Sequence, residues 1–125
     1  MDEIKTSKAP EPVGIYSQAV KTGSYIFLSG QIPLNPKSNE LINGDIKEQT
    51  LQIFNNIKEI LKVKNLTFKN IVKVEVYLTN IDDFKELNKV YEKQFTKPYP
   101  ARHVVEVSKL PLNAKIETAC TASIN

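Results

Sequence analysis

The chain is short of most residues on which elaborate chemistry is built. Among 125 residues it has one cysteine, Cys120, and one histidine, His103. A single thiol cannot close an internal disulfide, and one Cys with one His cannot assemble a Cys/His zinc cluster. No apolar run approaches the ~20 residues of a membrane span. The first 20 residues mix charges, prolines and polar groups, with no apolar stretch like a signal peptide's. The four glycines form no phosphate-binding loop. No nucleophile elbow and no metal-ligand spacing occurs. Lys plus Arg total 17 against 14 Asp plus Glu, a net charge of +3 without a block of five like charges. The sequence therefore carries no nucleic-acid or membrane footprint. A reducing cytoplasm fits these counts, and the expected chemistry is light: binding, polarisation and water addition.

What remains is an ordinary globular composition, 41% hydrophobic and 25% charged, in one domain spanning residues 1–125. Residues 1–13 read as an irregular arm. Residues 17–21 and 25–29 read as a hairpin around Thr22-Gly23-Ser24. Residues 33–44 are a loop by composition. A helix starts at Asp45, whose spacing to Glu48 is that of a capping box, and runs to about Lys64. Its expected apolar stripe is Leu51, Phe54, Ile57, Ile60 and Leu61. Residues 70–79 alternate as a strand. Val72, Val74, Val76 and Leu78 are expected on one face; Ile71, Lys73, Glu75, Tyr77 and Thr79 on the other. A second helix, capped by Asn80 and opened by Asp82 and Asp83, buries Phe84, Leu87, Tyr91 and Phe95 and ends before Pro98 and Pro100. Residues 101–107 and 115–124 read as two final strands.

The order ββ-α-β-α-ββ implies an α+β domain. Its strand–helix–strand unit demands a parallel crossover, so the sheet is mixed. Two helices cover one face only. The other face, semi-polar by pattern, either meets another subunit or stays in solvent.

Few residues could carry chemistry. Sixteen of the seventeen basic residues are lysines; the sole arginine, Arg102, stands at the start of a strand. Its planar fork of donors suits a two-point grip on a carboxylate or phosphate. It is either such a clamp or half of a structural ion pair. Glu117 sits inside the last strand, where acids are uncommon. It either faces solvent or, if burial raises its pKa, holds a proton or orients a water. Tyr16 either walls a pocket or plugs the core. His103 points away from Arg102 and Val104 along its strand and has no evident acid–base partner. Cys120 reads as a buried, inert side chain.

Several segments, in order and at matching spacing, resemble the RidA (YjgF/YER057c/UK114) family. They are Gly14 to Val20, Ser29-Gly30-Gln31-Ile32-Pro33, Asn88 with Tyr91, Pro100-Ala101-Arg102, Val105-Glu106-Val107, Leu110-Pro111 and Lys115-Ile116-Glu117. The resemblance covers nearly the whole chain. It implies a chorismate mutase-like fold and a homotrimer with sites in the clefts between subunits. It also implies hydrolysis of enamine/imine intermediates, such as 2-aminoacrylate and 2-aminocrotonate, to 2-oxo acids and ammonia. Pyridoxal-phosphate dehydratases release such small 2-imino and 2-enamino acids. By the family pattern, Arg102 takes the substrate carboxylate as a two-point ion pair, and the carbonyl of Gly30 and the amide of Val104 add contacts to the substrate. Glu117 activates water, Tyr16 walls the pocket and Asn88 supports it, with no metal or organic cofactor. Two residues depart from that pattern. Val104 stands where many members carry Cys, which puts any thiol mechanism aside. Ile15 stands where Pro is usual, which frees the backbone before Tyr16. Two other functions compete: an endoribonuclease or translation inhibitor, and a non-catalytic trimer that binds small acids or acts like a chaperone.

Overall fold

Gly23 makes the first turn possible. Thr22 pairs with Tyr25, leaving the two-residue loop Gly23-Ser24, and Gly23 takes a φ of 56°, a left-handed value that glycine adopts without a Cβ clash. This hairpin joins β2 (Ala19–Thr22) to β3 (Tyr25–Gln31) in a computed structural model that describes residues 1–125. After β3 come α1 (Ile46–Lys62), β4 (Ile71–Leu78), α2 (Phe84–Gln94), β5 (Ala101–Glu106) and β6 (Ile116–Ser123).

The expected order lacks one strand. The arm is not wholly irregular: β1 (Asp2–Ile4) pairs antiparallel with β2. Three residues, two of them acidic, are too short a run to show a period. The strand forms because β2 offers an unpaired edge and Ile4 reaches the core. The element order is therefore βββ-α-β-α-ββ.

The six strands lie in the order β1-β2-β3-β6-β4-β5. The last strand in sequence is thus a central one, antiparallel to both neighbours, β3 and β4. β5 runs parallel to β4 at the sheet's edge, across the α2 crossover, so the sheet is mixed and the fold α+β. No helix is long and apolar enough to cross a membrane.

Both helices pack on one face. The capping box of α1 forms as expected: Asp45 accepts from the Glu48 amide, and Glu48 accepts from the Asp45 amide. The stripe is shifted, however. Leu51 is 46% exposed while Ile53 is fully buried with Phe54, Ile57, Ile60 and Leu61. Positions 46, 49, 50, 53, 54, 56, 57, 60 and 61 form the continuous buried face, and 51 lies off it. Each large aliphatic side chain buried here contributes at most about 1.5–3 kcal/mol. Between the helices, Phe54 meets Phe68 and Phe95 edge-on at 5.6 and 5.9 Å, and Tyr91 stacks on Phe95 at 4.3 Å.

The alternation of β4 holds from Lys73 onward but fails at its start. Ile71 is 6% exposed and Val72 43%, the reverse of the expected faces. Opposite β6, Ile71 pairs with Ala122 and Lys73 with Thr121, so an extra residue on β4 shifts the phase. Buried amides tie α1 to the loop of residues 33–44 and to the start of β6. Asn56 donates to the Leu34 carbonyl at 2.9 Å, and Gln49 donates to the Ile42 carbonyl at 3.4 Å and accepts from the Lys115 amide at 2.9 Å. These bonds fix the wall that stands over the start of β6.

Candidate functional site

The residues singled out from the sequence form two groups, on opposite faces of the sheet. Val74 and Val76 of β4 are buried under the helices, and they pair with Arg102 and Val104 of β5. Paired residues share a face, so Arg102 points to the helix side. There Asn88 Oδ1 accepts a hydrogen bond from Arg102 Nη1 at 2.8 Å. The guanidinium carbon lies 4.5 Å from the centre of the Tyr91 ring and 5.3 Å from that of Phe84. No carboxylate lies within ion-pair distance of Arg102; the five ion pairs of the molecule all use lysines. The structural ion pair weighed above is thereby excluded within the chain. A cleft of about 400 Å³ opens beside the guanidinium, with Asn88, Tyr91, Tyr99 and Pro100 around it.

The amide of Val104 is available too. In the parallel ladder the Val107 amide donates to the Leu78 carbonyl at 2.8 Å. Amides alternate sides along a strand. Odd-numbered amides of β5 therefore serve β4, and that of Val104 faces the open edge. His103 falls on the opposite face, edge-on to Tyr77 at 6.0 Å, as expected from alternation.

The second group surrounds Glu117. On β6, Ile116 and Thr118 are buried under the helices, so Glu117 projects to the uncovered face beside its partner Tyr77. It has no ion-pair or hydrogen-bond partner among the side chains, and burial raises its carboxyl pKa above the ordinary value. β3 bulges here: Leu28 pairs with Cys120 and Gln31 with Thr118, leaving Ser29 and Gly30 opposite one residue. The bulge presses Gly30 against the acid. A Cβ on Gly30 would stand 2.9 Å from both Glu117 Cδ and Oε2. Only glycine lets the carboxyl lie there undisturbed.

Tyr16, Gly30 and Glu117 line one cavity of about 580 Å³, with Ile32, Leu34 and Leu112 as its apolar wall. Tyr16 is 51% exposed. It walls the cavity and does not plug the core. Its hydroxyl accepts from the Val13 amide at 3.4 Å. Cys120 is buried, and burial pushes its thiol up to about 12, so it stays protonated and inert. No cluster of three or more His, Cys, Asp or Glu side chains could hold a metal.

Arg102 and Glu117 therefore do not meet within one chain. They stand on opposite faces, with β4 between their strands. Sequence reasoning also missed the two rings beside Arg102. The signal was present: Phe84, Asn88 and Tyr91 are spaced by four and three, which places them on one helix face. Periodicity alone reports a buried face, although Tyr91 also stands with Asn88 among the residues that carry the family resemblance.

Comparisons with known proteins agree on one family. The family described as Endoribonuclease L-PSP matches residues 6–124. A RutC family protein of Aquifex aeolicus is 51% identical over 124 residues, covering 98% of each chain. A protein of Dermatophagoides farinae named 2-iminobutanoate/2-iminopropanoate deaminase is 40% identical over 114 residues, 91% of this chain and 89% of its own. The crystal structure of RidA from an Antarctic Psychrobacter superposes with a TM-score of 0.95 at 40% identity, covering 99% of this chain and all of the other. In sequence and in fold, the chain belongs to the RidA/YjgF family, the family of the Endoribonuclease L-PSP description.

Proposed function

We propose that this protein is an enamine/imine deaminase that hydrolyses small 2-imino acids to 2-oxo acids and ammonia, and that it works as a homotrimer. The observation that carries the reading is a single arginine held in place without an acidic partner. A cation so placed is ready to receive a carboxylate from a ligand. The substrate's carboxylate would sit on Arg102 and the Val104 amide. Its imine carbon would then face a water held by Glu117 with the Gly30 carbonyl beside it.

The steps balance without a cofactor. An enamine first tautomerises to the imine. Water adds to the C=N carbon as Glu117 takes one of its protons and passes it to the nitrogen, giving a carbinolamine. The Glu117 carboxylate then takes the hydroxyl proton and delivers it to the amine as the C–N bond breaks, so the oxygen becomes the carbonyl, ammonia leaves and Glu117 is ionised again. Glu117 suits this shuttle because its raised pKa brings it nearer neutrality. Free imines already hydrolyse in water, so positioning and modest acid–base help suffice.

Arg102 and Glu117 lie on opposite faces of one chain, so the reaction needs Arg102 from one copy beside Glu117 from another. The uncovered face supports such an assembly. It exposes Tyr25, Phe27 and Val105, large apolar side chains that a partner would cover. The test is a coupled assay in which a pyridoxal-phosphate dehydratase makes 2-aminoacrylate from serine and semicarbazide competes for it. Wild-type protein should divert flux to pyruvate and Arg102→Ala should not. Full activity in Arg102→Ala would refute the assignment.

A second reading comes from the family's description, which names an endoribonuclease. The residues support it less. The sole imidazole, His103, lies on the face away from Arg102, and no carboxylate partners it. Cleavage of RNA by repurified protein, lost in Arg102→Ala, would favour it. A non-catalytic binder of small acids would show ligand affinity with no turnover for Glu117→Ala to remove.

A further inference from the structure

Arg102 has five N–H donors on a flat, delocalised cation attached to a flexible stem. In this fold little of that flexibility remains. Asn88 Oδ1 engages Nη1, and the rings of Tyr91 and Phe84 pack against the guanidinium at 4.5 and 5.3 Å. All three come from one face of α2, while β5 delivers the arginine from across the crossover. The rings are themselves held. Tyr91 stacks on Phe95 at 4.3 Å and meets Phe54 at 6.2 Å. Its hydroxyl is buried with no hydrogen-bond partner.

We propose that Phe84 and Tyr91 are positioning residues. With Asn88, they preset the plane of the Arg102 guanidinium, and this preset plane selects planar carboxylates over tetrahedral anions. The inference rests on the reading of Arg102 as the carboxylate clamp and deepens it. With two rings beside the guanidinium and Nη1 engaged, a ligand meets the remaining N–H groups. Two oxygens of a coplanar carboxylate match two parallel N–H bonds. A phosphonate has a third oxygen out of that plane. Ring faces carry negative quadrupole density and disfavour an anionic oxygen beside them.

The test combines turnover with direct binding. Kinetics would use 2-iminobutanoate generated in the assay. Calorimetry would measure 2-oxobutanoate and the phosphonate of the same carbon skeleton. Phe84→Leu should raise KM, and the Kd for 2-oxobutanoate, by about threefold to thirtyfold. Its kcat should stay within about twofold, because the ring does not touch the reacting atoms. Tyr91→Leu should do the same, and Tyr91→Phe, which keeps the ring, should restore wild-type KM. Wild type should prefer the carboxylate by about tenfold or more, and the ring variants should narrow that preference. Phe84 is half-buried at the start of α2, so if Tyr91→Leu fails to fold, Phe84→Leu decides alone. Unchanged KM and Kd in a folded Phe84→Leu would overturn the proposal, as would equal wild-type affinity for the two anions. Normal wild-type turnover with unchanged ring variants sinks the ring proposal and spares the deaminase. Ring-dependent carboxylate binding without any turnover spares the ring proposal and sinks the deaminase.

Discussion

The two faces of the sheet treat their functional side chains in opposite ways. On the helix side, Arg102 is braced by a hydrogen bond and two rings. On the open side, Glu117 has no side-chain partner and rests on bare glycine backbone at the edge of a cavity of about 580 Å³. A clamp gains from being fixed before its ligand arrives, since less entropy is lost on binding. A proton carrier gains from partial burial, because that raises its pKa. Under the proposed function, one thin sheet serves both needs by giving each residue a different face, and neither face is complete alone.

The most disruptive test removes one half at a time. Arg102→Ala and Glu117→Ala should each lower kcat/KM by about two to four orders of magnitude in the coupled assay. Mixing the two inactive variants under subunit exchange then separates an intersubunit site from an intrachain one. If each site takes Arg102 from one copy and Glu117 from the next, about a quarter of sites are intact at equal mixing. No recovery would place both residues' work within one chain.

Gly30→Ala sharpens the comparison on the open side alone. The added Cβ strikes the far end of the Glu117 side chain at 2.9 Å. That side chain can swing away, so the fold should survive while the carboxyl is displaced. A drop of about tenfold to a hundredfold in kcat, with 2-oxobutanoate affinity little changed, is expected. A large loss of stability instead would show that the bulge is structural first.

A smaller effect follows from pH. Activity should need ionised Glu117. Its acid limb should therefore lie above the ordinary carboxylate pKa and vanish in Glu117→Gln. The same shift sets a stability effect. The folded pKa is raised above the unfolded one, so between those values the folded chain binds more protons. Stability then falls as pH rises through that window, and the ionised group is a full liability above it. Glu117→Gln should melt higher than wild type at neutral pH, with the difference shrinking as pH falls below the ordinary glutamate value. Equal melting temperatures at all pH values would mean the carboxyl is not desolvated.

Much of this was readable in advance, for local reasons. Capping by Asp45 and Glu48 depends on residues three apart, and it forms as read. The alternation of Val74, Val76 and Leu78 reports a half-buried strand wherever pairing is regular. Misreadings arose where a distant partner intervened. Ile71 and Val72 exchange faces because β4 bulges against β6, some fifty residues later in the chain. β1 exists because β2 had an edge to fill. Leu51 fits a helical period as well as Ile53 does, and only the packed sheet decides which is buried. Arg102 stood out by being the only arginine, and Glu117 by its place within a strand. The unpaired state of each was invisible, because an ion pair depends on what the fold brings near.

The sequence by itself determined the helices, five of the six strands and the few residues fit for chemistry. These rest on periods, caps and composition that act within a few residues. Tertiary structure alone decided that the last strand is central, that β3 bulges at Gly30, and that Arg102 and Glu117 face opposite ways. Those outcomes depend on strand order and register. Register is set by packing between segments far apart in the chain, and a shift of one residue exchanges the two faces.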